Sequence, residues 1–496
     1  MSTSTNASTN TFASHNPVTG EVIANYPIAD RETVFSAVAA ARSASAAWQE
    51  LGFKGRRKVL LKWSNLLISR LDEITELVSR ETGKPVSDAK LEASLAVGHL
   101  GWAARHAEDV MRTSHRSPGA LMANMSATVE RSPVGVVGVI GPWNYPIFTP
   151  MGSISYALAA GNTVVFKPSE YTPGVGAILA KTFAQVAPFA DIFTCVTGLG
   201  ATGKDLCESG VDKLAFTGST RTAKLVAAAC AANMTPVVLE CGGKDPVIVA
   251  EDADIKRAAD ATIWSSMSNA GQTCIGAERV YVHEKVADKF IEEAIKVAKS
   301  IHPGAPGVGN YGPATMPSQI NVIQGHIDDA IAKGAKVALG GSDSVKAPFV
   351  EPVILLDVPE NSTAMLEETF GPTIAINRVK SMAEAISLSN ASRYGLGSSI
   401  WSKRQGKKIA RQLHCGMVAI NSTISFAAIA SVPFGGVKDS GYGRIHGPEG
   451  ILEFTYPRTV VRARFQLPIA FTSFKRTKGN DKLIVTLTRL LNGRLG

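Results

Sequence analysis

Cys274 is the residue whose surroundings first suggest chemistry. It follows the small and polar run NAGQT (269–273) and precedes a strand-like segment, ERVYV (278–282). A free cysteine is most often buried and inert, whereas a reactive thiol needs an accessible, polar or electropositive environment. The chain has six cysteines and no C-x-x-C pair, so neither a zinc site nor a dithiol redox pair is expected. Whether Cys274 reacts therefore depends on the groups that surround it.

Two further segments carry polar side chains that suit catalysis at a carbonyl group. GPWNYP (141–146) holds Asn144 between prolines. A rigid amide is a good donor to an oxyanion, although asparagine in such a loop is also a common turn former. LECGGKDP (239–246) places Glu240 at the end of an apolar strand, where a partly desolvated carboxylate can act as a general base. A purely structural role suits Glu240 less well, because glutamate is rarely buried without a partner.

A nucleotide site is indicated by two strand ends rather than by a G-x-G-x-x-G fingerprint, which the sequence lacks. FTGST (216–220) follows a strand and opens a helix, so Gly218 and Ser219 can bring backbone N–H groups to a pyrophosphate. A plain strand-to-helix turn has the same pattern. In VVFKPSE (164–170), Glu170 can accept hydrogen bonds from ribose hydroxyls, and the alternative is an ordinary surface ion pair.

These residues are expected to be positioned by alternating strands and helices. From residue 134 to 243, short apolar strands alternate with helices, and a second alternation begins near residue 254. Fully apolar strands in this pattern predict doubly wound parallel sheets with helices on both faces, here in two α/β domains. Since ligands bind at the carboxyl ends of such strands, the motifs that follow strands are expected to converge.

Taken together, the motifs resemble those of the aldehyde dehydrogenase superfamily over about residues 14–456. Cys274 follows Glu240 by 34 residues, a spacing that is also similar to the family. The resemblance implies an aldehyde dehydrogenase-like α/β fold with two doubly wound domains and a small β arm for oligomerisation. Seven motifs occur in the family's order, namely GPWNYP, KPSE, FTGST, LECGGKDP, GQTC (271–274), EETFGP (367–372) and PFGGVKDSGYGR (433–444).

The resemblance also implies a role for each residue in these motifs. Cys274 would be the nucleophile, Asn144 and the backbone N–H of Cys274 would stabilise the oxyanion, and Glu240 would activate the water that releases the acid. No metal site is implied. The residues expected to bind the cofactor are Trp143, Lys167, Ser169, Glu170, Gly218, Ser219, Glu368 and Phe370. Those expected to line the substrate pocket are Phe148, Gly152, Thr273, Ile275 and Phe426.

The same resemblance divides the chain into segments and predicts a homodimer or homotetramer through the arm. The predicted segments are a disordered tail (1–13), an NAD(P)-binding Rossmann-like domain (14–118 and 135–241), a catalytic domain (242–441), an oligomerisation arm (119–134 and 456–465) and a basic amphipathic extension (466–496).

The predicted reaction is NAD(P)-dependent oxidation of an aldehyde to its acid through a thiohemiacetal and a thioester on Cys274. Glu170 favours NAD, because its carboxylate repels the 2′-phosphate of NADP, although relatives with this residue use both. The pocket residues are apolar or neutral and Gly152 leaves room, which favours aromatic, aliphatic or broad-range aldehydes. The alternative is a succinate-semialdehyde dehydrogenase, since HGPEGILEFT (446–455) with a basic tail is similar to some bacterial members. A CoA-acylating enzyme is less consistent, because it would not need Glu240.

The formal net charge is +9, and much of the excess lies late in the chain. This favours a solvated basic tail over an anionic partner, and no nucleic-acid partner is expected because aromatic residues are not interleaved with the basic ones. KLIVTLTRLLNGRLG (482–496) places leucines on one helical face. We expect it to dock on the enzyme's own surface rather than on an anionic membrane. With no run of 18 apolar residues and no signal peptide, the predicted location is the cytoplasm.

Overall fold

The computed structural model of the chain describes residues 10–466 and 473–493. Its strands are β1 (Thr11–His15), β2 (Val22–Pro27), β3 (Ser114–Arg116), β4 (Met125–Pro133), β5 (Val136–Ile140), β6 (Thr163–Lys167), β7 (Phe193–Cys195), β8 (Lys213–Thr217), β9 (Val237–Glu240), β10 (Asp245–Val249), β11 (Ala277–His283), β12 (Lys336–Leu339), β13 (Val345–Lys346), β14 (Phe349–Val350), β15 (Val353–Leu356), β16 (Thr373–Val379), β17 (Ser399–Trp401), β18 (Ala419–Ile420), β19 (Gly441–Tyr442) and β20 (Thr455–Ala463). Its helices are α1 (Arg31–Glu50), α2 (Gly52–Ser69), α3 (Leu71–Thr82), α4 (Val86–Val110), α5 (Phe148–Ala160), α6 (Pro173–Ala184), α7 (Gly200–Glu208), α8 (Thr220–Ala231), α9 (Ile255–Met267), α10 (Glu284–Ala298), α11 (Gln319–Ala332), α12 (Thr363–Leu366), α13 (Met382–Asn390), α14 (Gly406–Ala410), α15 (Ser425–Ala428), α16 (Gly447–Glu453) and α17 (Lys478–Asn492).

The first sheet has six strands in the order β19-β9-β8-β5-β6-β7. Its pairs are parallel, apart from the antiparallel pair of β19 with β9. All five residues of β5 are buried. Val137 and Val139 belong to a core with α2, α4 and α5, whereas Val136 and Ile140 belong to a core with α1, α7 and α8. The alternation along the strand therefore buries both of its faces under helices.

The second sheet has seven strands in the order β12-β15-β16-β11-β10-β17-β18. Its pairs are parallel, apart from the antiparallel pair of β12 with β15. In β10, Val247 and Val249 pack with α9 and α10, while Ile248 packs with α11 and α13 on the other face. Two doubly wound α/β sheets are thus present, which confirms the fold class predicted from the apolar strand pattern.

A separate antiparallel sheet of three strands contains β20, β4 and β3. β20 pairs with β4 without a break from Thr455 opposite Pro133 to Ala463 opposite Met125. The strands β4 and β20 lie almost entirely within the segments predicted as the arm, and β3 adds a strand from just before them. All residues of β20 except Thr455 are exposed in the single chain.

The predicted disordered tail overlaps an ordered strand. Residues 11–13 were placed in a tail spanning 1–13, but they belong to β1, which pairs antiparallel with β2. Backbone hydrogen bonds to β2 hold them in place, and this pairing partner is not apparent in the polar, low-complexity start of the chain. Residues 1–9 lie outside the described residues.

The C-terminal extension forms a helix, α17, that has little cover from the rest of the chain. None of its described side chains is buried, so the expected docking of its leucines on the enzyme's own surface is not observed. Residues 467–472 and 494–496 of the predicted extension lie outside the described part. Among the described helices, none combines the length and the apolar character needed to cross a bilayer.

Candidate active site

A left-handed turn positions Cys274. After α9, Asn269 and Ala270 adopt φ angles of 53° and 57°, followed by Gly271 at 71°. Non-glycine residues rarely adopt this conformation, and its cost is typical of functional sites. A Cβ on Gly271 would collide with the carbonyl oxygen of Gly371. Glycine is therefore required where this turn packs against the EETFGP loop.

The strand end that carries Glu240 lies against the Cys274 loop. A Cβ on Gly243 would be 2.6 Å from the carbonyl oxygen of Cys274, so the missing side chain lets the two segments touch. Glu240 is 3% exposed, and neither of its carboxylate oxygens has a hydrogen-bond partner among the described residues. Burial raises the pKa of Glu240 well above its usual range, against the opposing charge of Arg444. A carboxyl group whose pKa is raised by burial is a candidate for proton transfer in an active site.

Asn144 follows β5 and lies beside the same loop. Its Nδ2 donates to the carbonyl oxygen of Gln272 at 2.9 Å, two residues before Cys274. Its own carbonyl oxygen accepts from Lys84 Nζ at 2.7 Å and from Asn269 Nδ2 at 3.1 Å. The side chain and the main chain of Asn144 are thus both anchored, which holds the amide in one direction.

Sequence reasoning missed the buried ion pair beneath this loop. Lys84 Nζ lies 2.7 Å from Glu92 Oε2, and both side chains are inaccessible to solvent. Glu92 Oε1 accepts from the N–H groups of Ile147 and Phe148 at 2.8 and 3.2 Å. The signal in the sequence was a pair of opposite charges eight residues apart at the start of α4. Only the packing of α4 against the loop after β5 shows what they support.

The Cys274 thiol is half-buried. Burial raises the pKa of this thiol, and the carboxylates of Glu368, Asp245 and Glu240 raise it further. Burial likewise raises the pKa of Cys241 to about 12. Thiol acidity therefore does not distinguish Cys274 from Cys241, whereas the groups gathered around Cys274 do.

The residues predicted to bind the adenosine half of the cofactor lie at the carboxyl ends of β6 and β8, on either side of β5. Lys167 is buried, with its Nζ 3.5 Å from Glu170 Oε2, and Ser169 Oγ donates to the same oxygen at 3.4 Å. Ser219 follows Gly218 and caps the N-terminus of α8. The first N–H groups of a helix suit a pyrophosphate, and these residues lie along the same edge of the sheet.

Glu368 and Phe370 precede a strand of the second sheet, β16, and contact residues that follow strands of the first sheet. The Phe370 ring is perpendicular to that of Trp143, with centroids 5.6 Å apart. Glu368 Oε1 accepts from the N–H of Gly243 at 3.1 Å, and a Cβ on Gly242 would collide with this carboxylate. Burial raises the pKa of Glu368 to about 8. The two sheets therefore meet around Gly242 and Gly243, next to Cys274.

Glu278 holds the EETFGP loop in this position and was also missed. Its carboxylate accepts from the N–H groups of Thr369 at 2.8 Å and Phe370 at 3.0 Å. Lys244 pairs with Glu278 and donates to Thr369 Oγ1 at 3.1 Å. Phe370 has a φ angle of 53°, a strained conformation that this network maintains. The signal for this pair in the sequence was a charged residue within each of two largely apolar segments, Lys244 in LECGGKDP and Glu278 in AERVYV.

Four of the five predicted pocket residues are connected with Cys274 by packing or by sequence. Phe148, Ile275 and Phe426 belong to the same extended hydrophobic core that Cys274 packs against, and Thr273, which precedes Cys274 in the sequence, is buried. Their role as a pocket wall stays a prediction.

The expectation that Gly152 leaves open space was wrong. A Cβ on Gly152 would be 2.5 Å from Nε2 of His446, so the imidazole fills that space. His446 is buried, and its ring centroid lies 4.0 Å from that of His99. In the described structure neither nitrogen of His446 has a hydrogen-bond partner. Burial lowers the pKa of His446 well below its usual range, so the ring is neutral.

Two doubly wound sheets, a cysteine loop held against the ends of strands from both, and nucleotide-type turns at the carboxyl edge of the first sheet are features of an α/β dehydrogenase. The family model described as "Aldehyde dehydrogenase family" matches residues 4–460, and the chain belongs to this family. It is therefore an enzyme that oxidises aldehydes with NAD or NADP, as predicted.

Relatives and solved structures agree with this assignment. A 4,4'-diapolycopene aldehyde oxidase of Methylomonas sp is 36% identical over 92% of this chain and 87% of its own. An NADP-dependent succinate-semialdehyde dehydrogenase of Escherichia coli is 35% identical over 89% and 92%. An NAD-dependent aldehyde dehydrogenase of Sinorhizobium meliloti superposes with a TM-score of 0.89 at 31% identity over 94% of both chains. The NADP complex of an NADP-dependent glyceraldehyde-3-phosphate dehydrogenase from Bacillus halodurans gives 0.87 at 33% identity over 92% and 96%.

Proposed function

We propose that Cys274 is the nucleophile, that Asn144 and the Cys274 main-chain N–H stabilise the oxyanion, and that Glu240 is the base. The observation that carries this proposal is the state of Glu240. A buried carboxylate without a hydrogen-bond partner in the protein costs free energy. That cost is expected where the group must take a proton from a reacting water. The contact of Gly243 with the Cys274 carbonyl supports this role, because Gly243 follows Glu240 by three residues.

The reaction follows from these positions. The Cys274 thiolate attacks the aldehyde carbon, a C–S bond forms, and the carbonyl oxygen becomes an oxyanion held by the Asn144 amide. Losing one such donor costs about 3–4 kcal/mol of transition-state stabilisation. NAD(P), when bound, supplies the hydride acceptor that makes oxidation of this adduct to a thioester possible. Glu240 then takes a proton from water, the resulting hydroxide attacks the thioester carbon, and the C–S bond breaks to release the acid.

The residues at the strand ends fit an adenine dinucleotide. Ser219 caps the N-terminus of α8, where the first helical N–H groups have no partner within the helix, and the close approach of Glu368 to Gly242 makes a second polar contact point near the cysteine. NAD is the preferred cofactor, because the partly exposed Glu170 would repel a 2′-phosphate. Use of both cofactors is the alternative, and it is supported by NADP-dependent relatives that share the fold.

The preferred substrates are apolar aldehydes, either aromatic or aliphatic. Phe148 packs edge-on against both His99 and His446, and Phe426 lies beside Phe434. Such walls bury apolar surface favourably, and neutral imidazoles give little attraction to a carboxylate. The similarity to a 4,4'-diapolycopene aldehyde oxidase supports the same preference.

Succinate semialdehyde is the second candidate substrate. It is favoured by the 35% identity to the Escherichia coli enzyme over 89% of this chain. This candidate requires a cation that reaches the distal carboxylate, whereas the apolar candidate requires none. A comparison of turnover with uncharged and negatively charged aldehydes therefore distinguishes the two candidate substrates.

The exposed strand β20 of the arm supports an assembly of two or four copies, and the location that we propose for it is the cytoplasm. Exposed apolar residues line β20, including Val460 and Val461 at 40% and 57% exposure. Exposed apolar surface of this kind is typically buried against a second copy in a homo-oligomer with closed symmetry.

The proposal is tested by following NADH and NADPH formation with benzaldehyde, decanal and succinate semialdehyde. We expect the highest kcat/KM for benzaldehyde or decanal, and a loss of about a thousandfold or more in Cys274→Ala. Cys241→Ala is the matched control, because it removes a buried thiol close to the site and should retain activity. Activity that survives in Cys274→Ala would refute the nucleophile, and a clear preference for succinate semialdehyde would refute the apolar pocket.

A further inference from the structure

Positive charge is concentrated at the end of the chain. Residues 456–496 contain nine Lys and Arg residues and one acidic residue, Asp481. They therefore hold eight of the nine net positive charges of the protein, and residues 1–455 are nearly neutral. The rest of the chain has no net negative charge to balance this segment, whereas an external anionic surface would attract it.

The helix α17 within this segment is amphipathic. At 100° per residue, the leucines and the isoleucine of this helix fall within an arc of about 120°, whereas Val485 and the cations Lys478, Lys482 and Arg489 fall on the opposite side. Leu490 and Leu491 are 69% and 51% exposed. The residues of this leucine face are Leu483, Ile484, Leu487, Leu490 and Leu491.

The cations around the helix are available to a partner. Lys475, Lys478, Lys482 and Arg489 are all exposed, and in the described ranges none of them forms an ion pair. A charged and amphipathic helix of this kind lies in the plane of a membrane interface, with its apolar side at the acyl boundary. Anionic lipids add about 1 kcal/mol for each Lys or Arg close to the surface.

We propose that α17 binds the surface of an anionic phospholipid bilayer through its leucine face, with its lysines and arginine at headgroup level. The face is aliphatic, so it offers acyl chains a matching surface but offers nucleic-acid bases no aromatic ring to stack on. A second copy of the chain brings the same excess of positive charge at its own C-terminus. Charge and apolar surface together therefore favour lipid as the occupant.

The proposal is tested with the full-length enzyme and two kinds of vesicle. One is phosphatidylcholine alone, and the other is phosphatidylcholine mixed with phosphatidylglycerol. We expect the enzyme to cosediment with the mixed vesicles only, and the bound fraction to fall as salt is raised. Absence of binding to the mixed vesicles at low salt would overturn the proposal.

Two matched variants test the orientation of the helix. Leu490→Glu and Val485→Glu add the same charge at exposed sites, but Val485 lies about 140° around the helix from Leu490, outside the leucine face. We expect Leu490→Glu to bind the mixed vesicles at least about tenfold more weakly than Val485→Glu, because only the former removes an inserted side chain. Oxidation of a soluble aldehyde should be the same in both, which shows that the fold is intact.

Three outcomes would contradict this arrangement. Equal losses in the two variants would show attraction by charge without insertion. A change in oligomeric mass in Leu490→Glu, measured by sedimentation velocity without lipid, would show that the leucine face packs on another copy. Tighter binding to a DNA duplex than to the mixed vesicles would show a nucleic-acid surface.

Discussion

The ammonium of Lys84 donates to the carbonyl oxygen of Asn144 at 2.7 Å, and the two residues lie sixty positions apart in the chain. The same ammonium lies 2.7 Å from Glu92 and 4.2 Å from the centre of the Tyr145 ring. The loop that carries the proposed oxyanion donor is therefore anchored to the start of α4 by a buried charge. Its position depends on an ion pair that takes no part in the reaction itself.

Substituting Lys84→Met should destabilise the fold strongly. Glu92 would remain buried without its partner, and an uncompensated buried charge costs about 3–5 kcal/mol. Urea denaturation measures this change. The matched control is Lys90→Met, which removes the exposed pair with Asp72 and should cost less than about 1 kcal/mol. Similar losses in the two variants would mean that the Lys84 pair is not a structural anchor.

The pH dependence of turnover should report Glu240. Its pKa is raised by burial, so the group is still partly protonated at pH values where an ordinary glutamate, with a pKa of about 4.3, is fully ionised. The ionised fraction of Glu240, which is the form that can accept a proton, therefore grows as pH rises through the raised pKa, and steady-state turnover should rise with it. Glu240→Gln should lose this rise of turnover with pH and should accumulate the thioester.

Burst kinetics separate the two half-reactions of this prediction. The first turnover of NADH in Glu240→Gln should persist, since acylation needs the Cys274 thiolate rather than the base. If the pH profiles of the variant and the natural enzyme superimpose, Glu240 does not activate the water.

Glu170→Gln should shift the enzyme towards NADP. The Glu170 side chain is 41% exposed at the end of β6, where its charge opposes a 2′-phosphate. We expect the ratio of kcat/KM for NADP to that for NAD to rise about tenfold, with little change in stability at this partly exposed position. An unchanged ratio would place the 2′-position away from Glu170.

Gly152→Ala should narrow the pocket by displacing His446. The added Cβ would be 2.5 Å from Nε2 of that ring, so the imidazole must move. We expect kcat/KM for benzaldehyde to fall about tenfold, since displacements of about 1 Å near a reacting centre have effects of this order or larger. Acetaldehyde should be affected less.

The double variant Gly152→Ala with His446→Ala is the control for this steric argument. Removing the imidazole should restore most of the benzaldehyde activity if the two groups compete for one space. Equal losses for acetaldehyde and benzaldehyde would instead indicate a distorted α5.

Sequence reasoning succeeded where a local pattern determines the outcome. Buried strands such as β5 and β6 are short apolar runs between glycine and polar turns, and their type follows from composition and length. The turns at Gly218 and Asn144 were found because each follows such a strand. The filling of Gly152 by His446 was missed because the two residues are 294 positions apart. A local sequence pattern cannot show that the side chain of a distant residue fills the space beside a glycine.

The amino-acid sequence by itself determined two doubly wound sheets, the family and the motifs proposed to form the site, since periodicity and strand-end motifs are local properties of a chain. Tertiary structure alone decided how these residues are held. Lys84 and Glu278 act through buried ion pairs with partners far along the chain, and Gly243 matters only because the Cys274 carbonyl lies against it. Burial, which gives Glu240 its raised pKa, is also a property of the packed molecule, because desolvation depends on every segment that excludes water from the group.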